Sequence, residues 1–422
     1  MHHLLALWEG GGTVPVELGV TRRLLSRGHT ATVLGDPTME GAVTALGAEF
    51  RPWVEAPHRV DEGVDGDLFR DWECRTPFGQ FARVRDRLFT GPAAAFSRDT
   101  RRVLAERPAD VLLANGALLG ALAGAESLGV PQVCLMPNIY FAPAPGMPPL
   151  GLGLRPARGP LGRARDDLVN GAVRRMWDRG MGDFNAARAL LGLPPVRTVY
   201  EQWDHAARVL VLTSRAFDFP ARLPANVRYV GPVLDDPPWA GSVDLPPGDE
   251  PLVVVGLSSS YMRQVPLLRR VVAALDRLPV RGLVTTGPAV DPGEVPGTDR
   301  VHVVRSAPHA EVFPLAAVVV THAGHGTTVK ALAAGAAVLG LPMGRDQADN
   351  VVRFVHRGAG LGLKPTASTA AIARAVRRLL EEPSFRAAAA RLGRALREDA
   401  ASSPLLEEVE AAGSRAPRET VP

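Results

Sequence analysis

Residues 3–34 read HLLALWEGGGTVPVELGVTRRLLSRGHTATVL. The apolar run from His3 to Trp8 is strand-like, and Glu9 to Thr13 is a glycine loop. From about Pro15 to Arg27 apolar residues recur at helical spacing, Gly28 stops the helix, and residues 30–34 form the next strand. Strand, glycine turn, helix, glycine, strand is a βαβ unit, whose right-handed crossover implies a parallel sheet. The pattern recurs at 111–114, a helix near 117–128, Gly129 and 132–136. Further along, 252–256, 282–286, 301–304, 317–320 and 337–341 read as strands with helices between them. Valine and leucine runs without polar alternation mark strands covered on both faces. The expected fold is therefore α/β, with two Rossmann-like parallel-sheet domains facing each other across a cleft.

Residues 231–250 hold Pro232, Pro237, Pro238, Pro246 and Pro247 with few apolar anchors, and read as the linker. The expected division is a first domain 1–230, the linker 231–250, a second domain 251–398 and a tail 399–422. The tail is small and polar, and its last residues are expected to be disordered. Residues 141–160 are packed with proline and glycine. Inside a compact domain such a loop is more often a functional surface than a connector, the alternative being a disordered insert.

Composition removes whole classes of function. With 46% hydrophobic and 22% charged residues, the 422-residue chain is not disordered overall. The net charge is +4 without any long basic run, so no nucleic-acid partner is expected. Two cysteines, Cys74 and Cys134, cannot build a disulfide framework and suit a reducing, cytoplasmic setting. Residues 1–12 lack the features of a signal peptide, and no segment approaches about 18 apolar residues, so membrane insertion is not expected.

The chemistry concentrates after the strand at 317–320. It runs into Thr321-His322-Ala323-Gly324-His325-Gly326-Thr327-Thr328, with a helix starting near Gly326. Glycines admit a ligand to the backbone, the helix end offers unpaired N–H groups, and the threonine hydroxyls add donors. That combination suits a diphosphate. The pair His322 and His325 also allows a metal site, but no third ligand lies nearby, and a purely structural turn is the remaining alternative. P-loop and GxGxxG patterns are absent from this segment.

Residues 303–350, with Ser306-Ala307-Pro308-His309, the 321–328 segment and Gly344-Arg345-Asp346-Gln347-Ala348-Asp349-Asn350, resemble the donor-binding signature of family 1 glycosyltransferases. The likeness is closer to the bacterial natural-product branch, which decorates antibiotics with sugars. Arg27-Gly28-His29, Leu212-Thr213-Ser214 with Phe217, and Gly231-Pro232 are similar too. The resemblance implies a GT-B fold with an N-terminal acceptor domain and a C-terminal nucleotide-sugar domain. It places His322, Gly324, His325, Gly326, Thr327 and Thr328 at the diphosphate and Asp346 with Gln347 on the transferred sugar. Ala307 would offer its backbone to the base, and Ser258 and Ser259 would close over the phosphates.

The departures are as informative. Ser306 stands where plant members stack an aromatic ring on the base, and Lys330 where the family usually has a glutamate. Relatives place a catalytic His or Asp at the first loop–helix junction, held by an Asp after a later strand. Here Thr13 and Asn115 occupy those places, and neither accepts a proton near neutral pH. Thr13 is expected instead to cap the helix. Three explanations stay open: a base elsewhere, with Glu9 and Glu17 as candidates; an acceptor needing little deprotonation; or loss of transfer activity.

The resemblance implies an inverting, metal-independent transfer from a dTDP or UDP sugar to a small hydrophobic or aromatic acceptor, with no cofactor. Asn138, Tyr140, Phe141 and Met147, beyond the strand at 132–136, are the expected acceptor contacts. A monomer or homodimer is expected. The rivals are a sugar-nucleotide 2-epimerase and a non-catalytic nucleotide-sugar-binding accessory protein.

Overall fold

The computed structural model describes residues 1–414, apart from 62, 75 and 237–240. Seven strands make the first sheet: β1 (His2–Ala6), β2 (Thr30–Gly35), β3 (Glu49–Pro52), β4 (Val111–Asn115), β5 (Gln132–Met136), β6 (Arg208–Val211) and β7 (Val227–Tyr229). Six make the second: β8 (Leu252–Gly256), β9 (Arg281–Thr285), β10 (Val301–Val304), β11 (Ala316–Thr321), β12 (Ala337–Gly340) and β13 (Gly360–Gly362). The orders are β3-β2-β1-β4-β5-β6-β7 and β10-β9-β8-β11-β12-β13, and the strands pair in parallel in both. The two-domain α/β expectation holds.

The central strands of each sheet are buried on both faces because they are apolar at most positions. Along β1 and the residue after it, Leu4 and Ala6 enter one core while Leu5 and Leu7 enter the core on the other side. In β8, Val253 and Val255 divide from Leu252 and Val254 in the same way. Strand order reverses between β1 and β4 and between β8 and β11. Such switch points open a crevice beyond the carboxyl ends of the strands.

The linker is better anchored than its prolines suggest. Val233 is buried with the first-domain core, while Leu234, Val243 and Leu245 pack against the second. Asp235 pairs with Arg22 at 2.6 Å, and Asp236 pairs with Lys330 at 2.9 Å. Pro237 and Pro238 lie outside the described residues. The tail also differs from expectation. Helix Pro383–Ala401 runs past residue 398, and a further helix, Leu405–Gly413, crosses to the first domain. There Leu405, Val409 and Ala412 are buried with Leu5, Val111 and Val133, spaced to put one helix face on that sheet. Residues 415–422 lie outside the described set. No helix of the described residues is long and apolar enough to cross a membrane.

The domains are joined by charge as well as by chain. Arg353 donates to Asp218 at 2.7 Å, with side-chain exposures of 2% and 1%. Asp349 accepts the N–H groups of Gly151 and Gly153 at 2.6 and 3.1 Å, which ties down the irregular loop of the first domain. Replacing Arg353 by Met should leave Asp218 charged and buried without its cation. We expect about 3–5 kcal/mol of lost stability in urea unfolding.

Candidate functional site

Two glycine loops face each other at the switch points. A Cβ added to Gly11, beyond β1, would sit 2.8 Å from Ser259 Oγ, and one added to Gly326 would sit 3.5 Å from Gly12 O. The segment beyond β11 turns through Ala323 at φ +67°, and the Ala323 carbonyl is held by Asn350 Nδ2 at 2.9 Å. Helix His325–Ala333 then starts at Gly324, which is extended and brings no side-chain cap. The first N–H to close is that of Thr328, on Gly324 O at 3.0 Å. Those of His325, Gly326 and Thr327 have no partner among the described residues, as expected at an open helix end. Their shared direction makes an anion site.

Gly324 is required here, because a Cβ would lie 2.5 Å from His322 Nε2. The His322 ring folds back over this turn. Burial pushes its pKa down to about 4, assisted by the Arg345 charge. At neutral pH it therefore offers an N–H rather than a cation. Thr327 is half-buried at the helix end, but Thr328 is fully buried, and its hydroxyl finds no partner. The Thr328 hydroxyl is therefore enclosed rather than presented at the surface of the cleft. His325 packs edge-on against Phe217 of the first domain, with ring centroids 5.4 Å apart. Lys330, where the family usually has a glutamate, is tied to Asp236 of the linker at 2.9 Å.

Beyond β8, the Ser258 and Ser260 hydroxyls lie 3.1 Å apart. Gln264 Nε2 donates to both of their carbonyls at 3.3 Å, which stiffens the loop. Ser259 is the serine that faces Gly11. Past β10, Ala307 is buried beside exposed Ser306. Asp346 precedes helix Gln347–His356 and accepts from Asn350 Nδ2 at 3.1 Å, and burial raises its pKa. Gln347 Oε1 takes the N–H groups of Met343 and Gly344 at 2.6 and 3.1 Å, so its carbonyl oxygen holds the loop.

On the first domain, Thr13 occupies the position before helix Val14–Ser26 but makes no capping bond. Its φ of −82° and ψ of −32° are already helical, whereas a capping side chain needs an extended backbone. The capping expectation fails for that reason. One turn on, fully buried Glu17 accepts from Asn115 Nδ2 at 2.6 Å, while its second oxygen has no partner. Burial raises the Glu17 pKa to about 8, and the Asn115 bond opposes the shift. Glu9 accepts the Gly11 N–H at 2.9 Å, and its own N–H donates to Asp36.

A cavity lies between the loops, lined by Trp8, Glu9, Gly10, Arg59, Asp67, Leu68, Phe69, Ser260 and Arg345. Tyr140, Phe141 and Met147 line a second cavity, together with Asp349 and Arg353, and the two cavities share no lining residue. Asn138 lies outside both, its Oδ1 buried without a partner. Sequence reading missed Trp8, Phe69, Asp71 and Arg345. Asp71 meets Arg345 across 274 positions of chain, a pairing with no local signal. No group of three or more His, Cys, Asp or Glu is placed to hold a metal among the described residues.

The model of the family described as "Erythromycin biosynthesis protein CIII-like, C-terminal domain" matches residues 270–413. Over 402 residues the chain is 30% identical to 4'-demethylrebeccamycin synthase of Lentzea aerocolonigenes, covering 92% of this chain and 94% of that protein. The fold superposes on the calicheamicin glycosyltransferase CalG4 with a TM-score of 0.76, at 21% identity and 98% coverage of both chains. Glycosyltransferase VinC, solved in complex with dTDP, gives a TM-score of 0.69 at 18% identity, covering 99% of this chain and 100% of its own. With its parallel sheets, open anion site and full-length relative, the chain belongs to the family 1, GT-B glycosyltransferases of the natural-product, antibiotic-biosynthesis type.

Proposed function

We propose that this chain is an inverting, metal-independent enzyme of the cytoplasm, moving a sugar from a dTDP or UDP donor to a small natural-product acceptor. The observation that carries the reading is the meeting of the two glycine loops, Gly11 and Gly12 against Ser259 and Gly326. A sugar nucleotide whose diphosphate is seated on the open helix end would hold the anomeric carbon of its sugar at the first-domain loop. The names of the relatives, a rebeccamycin-pathway synthase and a transferase holding dTDP, support the same substrate classes.

In this reading the N–H groups of His325, Gly326 and Thr327, the Thr327 hydroxyl and the His322 N–H hold the diphosphate. Ser258 and Ser259 close over it, Ala307 presents its backbone to the base, and Asp346 binds sugar hydroxyls. Gln347 shapes the loop that carries Asp346. The acceptor lies against Trp8, Leu68 and Phe69 in the cavity between the loops. Its nucleophile attacks the anomeric carbon opposite the diphosphate. The carbon–oxygen bond breaks, and the electron pair leaves on the phosphate oxygen. The acceptor's proton passes to Glu9, which lines that cavity. A second reading puts the proton on Glu17, favoured by the Asn115 bond that orients it as a dyad partner would.

The two carboxylates are separable. Glu9→Gln should lower kcat by about 10²–10⁴-fold with nucleotide affinity kept, and Glu17→Gln by less than about tenfold. The reverse order, with wild-type turnover rising through about pH 8, would move the base to Glu17. Detection of a glycosylated acceptor separates transfer from epimerisation or mere binding.

Glu17 also makes an equilibrium prediction. Its folded pKa of about 8 exceeds the ordinary 4.5, so the native state keeps a proton that the unfolded state releases. Native stability from this group therefore falls as pH rises between those values, by up to about 1.4 kcal/mol per pH unit. Glu17→Gln removes the penalty. We expect its melting temperature to exceed that of wild type at pH 8–9 and to approach it near pH 5.

Metal independence has its own check. Turnover should be unchanged in EDTA, while His322→Ala should weaken dTDP and UDP binding by calorimetry. Loss on chelation, restored by magnesium or manganese, would refute the metal-independent reading.

A further inference from the structure

We propose that Arg345 is the cation that meets the donor's β-phosphate, and that Asp71, on the opposite domain, positions it there. The inference rests on the donor reading above and deepens it. Arg345 adopts φ +54°, a left-handed conformation uncommon outside glycine. Such backbone at the lip of a cleft is kept when the fold needs the side chain in one direction. That direction is across the domain gap: Arg345 Nε donates to Asp71 Oδ2 at 2.7 Å. Asp71 is wholly buried, and its other oxygen has no hydrogen-bond partner.

The guanidinium is not used up by this pair. Its terminal nitrogens have no hydrogen-bond partner among the described residues, and Arg345 borders the cavity with Ser260, Glu9 and Gly10. Asp67 and Asp346 attract it without a hydrogen bond. Its charge also reaches His322, whose pKa it helps to depress. Neither His322 nor Lys330, the basic side chains on either side of the open helix end, supplies a charge there. His322 is neutral, and Lys330 is bound to Asp236. The motif that aligned with the family led to Asp346 and Gln347 and passed over the arginine before them.

The contacts around Asp71 belong to the same closure. Trp72 packs edge-on against Tyr261 of the second domain, with ring centroids 5.1 Å apart. Gln80 donates to the Asp71 carbonyl at 3.4 Å and abuts Gly344. Arg83 grips the carbonyls of Phe69 and Arg70 at 3.1 and 2.6 Å, which fixes the approach to Asp71. The cation is therefore correctly placed only while the first-domain loop is seated on the second domain. As the anomeric carbon–oxygen bond breaks, the electron pair stays on the β-phosphate oxygen and the nucleoside diphosphate gains one negative charge. Arg345 balances that charge by ion pairing, and no proton moves to or from it.

The test is calorimetric binding of dTDP and UDP against dTMP and UMP, which lack the β-phosphate. Arg345→Gln should weaken the diphosphates by about tenfold or more while leaving the monophosphates within about twofold, with Arg345→Lys in between. Asp71→Asn should shift the diphosphates in the same direction by a smaller factor, and add nothing in the Arg345→Gln background. Retained monophosphate binding reports that each variant is folded. Equal loss for diphosphate and monophosphate, or no loss for either, would overturn the assignment. Unchanged dTDP affinity with a raised KM for the sugar nucleotide would also overturn it, by placing Arg345 on the sugar. Failure of the wild-type enzyme to bind dTDP or UDP would instead bring down the donor reading and this inference with it.

Discussion

Arg353 and Asp218 meet where neither has water to solvate it, so each charge is tolerable only while the other is in place. The pair is not isolated. Asp218 also accepts the Tyr229 hydroxyl at 2.7 Å, and the Arg353 guanidinium lies 5.0 Å over the Phe219 ring. Helix Gln347–His356 is thereby fixed against the first domain, and its leading end carries Arg345 and Asp346. Catalytic geometry at the cleft is inherited from this packing. A shift of that helix would move the sugar-facing residues and the loop that Gln347 holds together.

The cleft is charged but almost entirely tied. Asp36, Asp71, Asp346 and Asp349 are held by backbone N–H groups, by arginine or by asparagine, and several have their pKa values raised by burial. Anchored carboxylates of this kind act as fixed struts: they aim loops and do not swing toward substrate. Open to a ligand are an end of a helix and the edge of one guanidinium. An enzyme that must stabilise a departing anion profits from groups already oriented before the bond breaks.

Much of this was readable from residue order, and the failures have physical causes. Apolar strands announced themselves because both faces are buried, and residues 132–136, 252–256 and 301–304 fall on β5, β8 and β10. The loop beyond β11 was legible because the glycines and threonine sit in one short run. Thr13 misled because capping depends on backbone angles that residue identity does not encode. Lys330 misled because its partner, Asp236, belongs to a linker that looked unanchored. Tyr140 and Phe141 lie at a strand's carboxyl end as expected, yet they line a cavity distinct from the one between the glycine loops. Arg345 was invisible because its significance lies in Asp71, a residue from the other domain.

Helix Leu405–Gly413 gives the architecture an order in time. Leu405, Val409 and Ala412 complete a core whose other members come largely from helix Val14–Ser26 and from β1, β2, β4 and β5, all made within the first third of the chain. During synthesis the amino-terminal sheet emerges first, with one of its faces lacking this cover. Domains generally fold as they appear, and uncovered apolar surface is what makes nascent intermediates aggregate. The first domain must therefore wait, partly exposed, until the second has been made and the chain has crossed back. The earliest part of the protein to be synthesised is among the last to be finished.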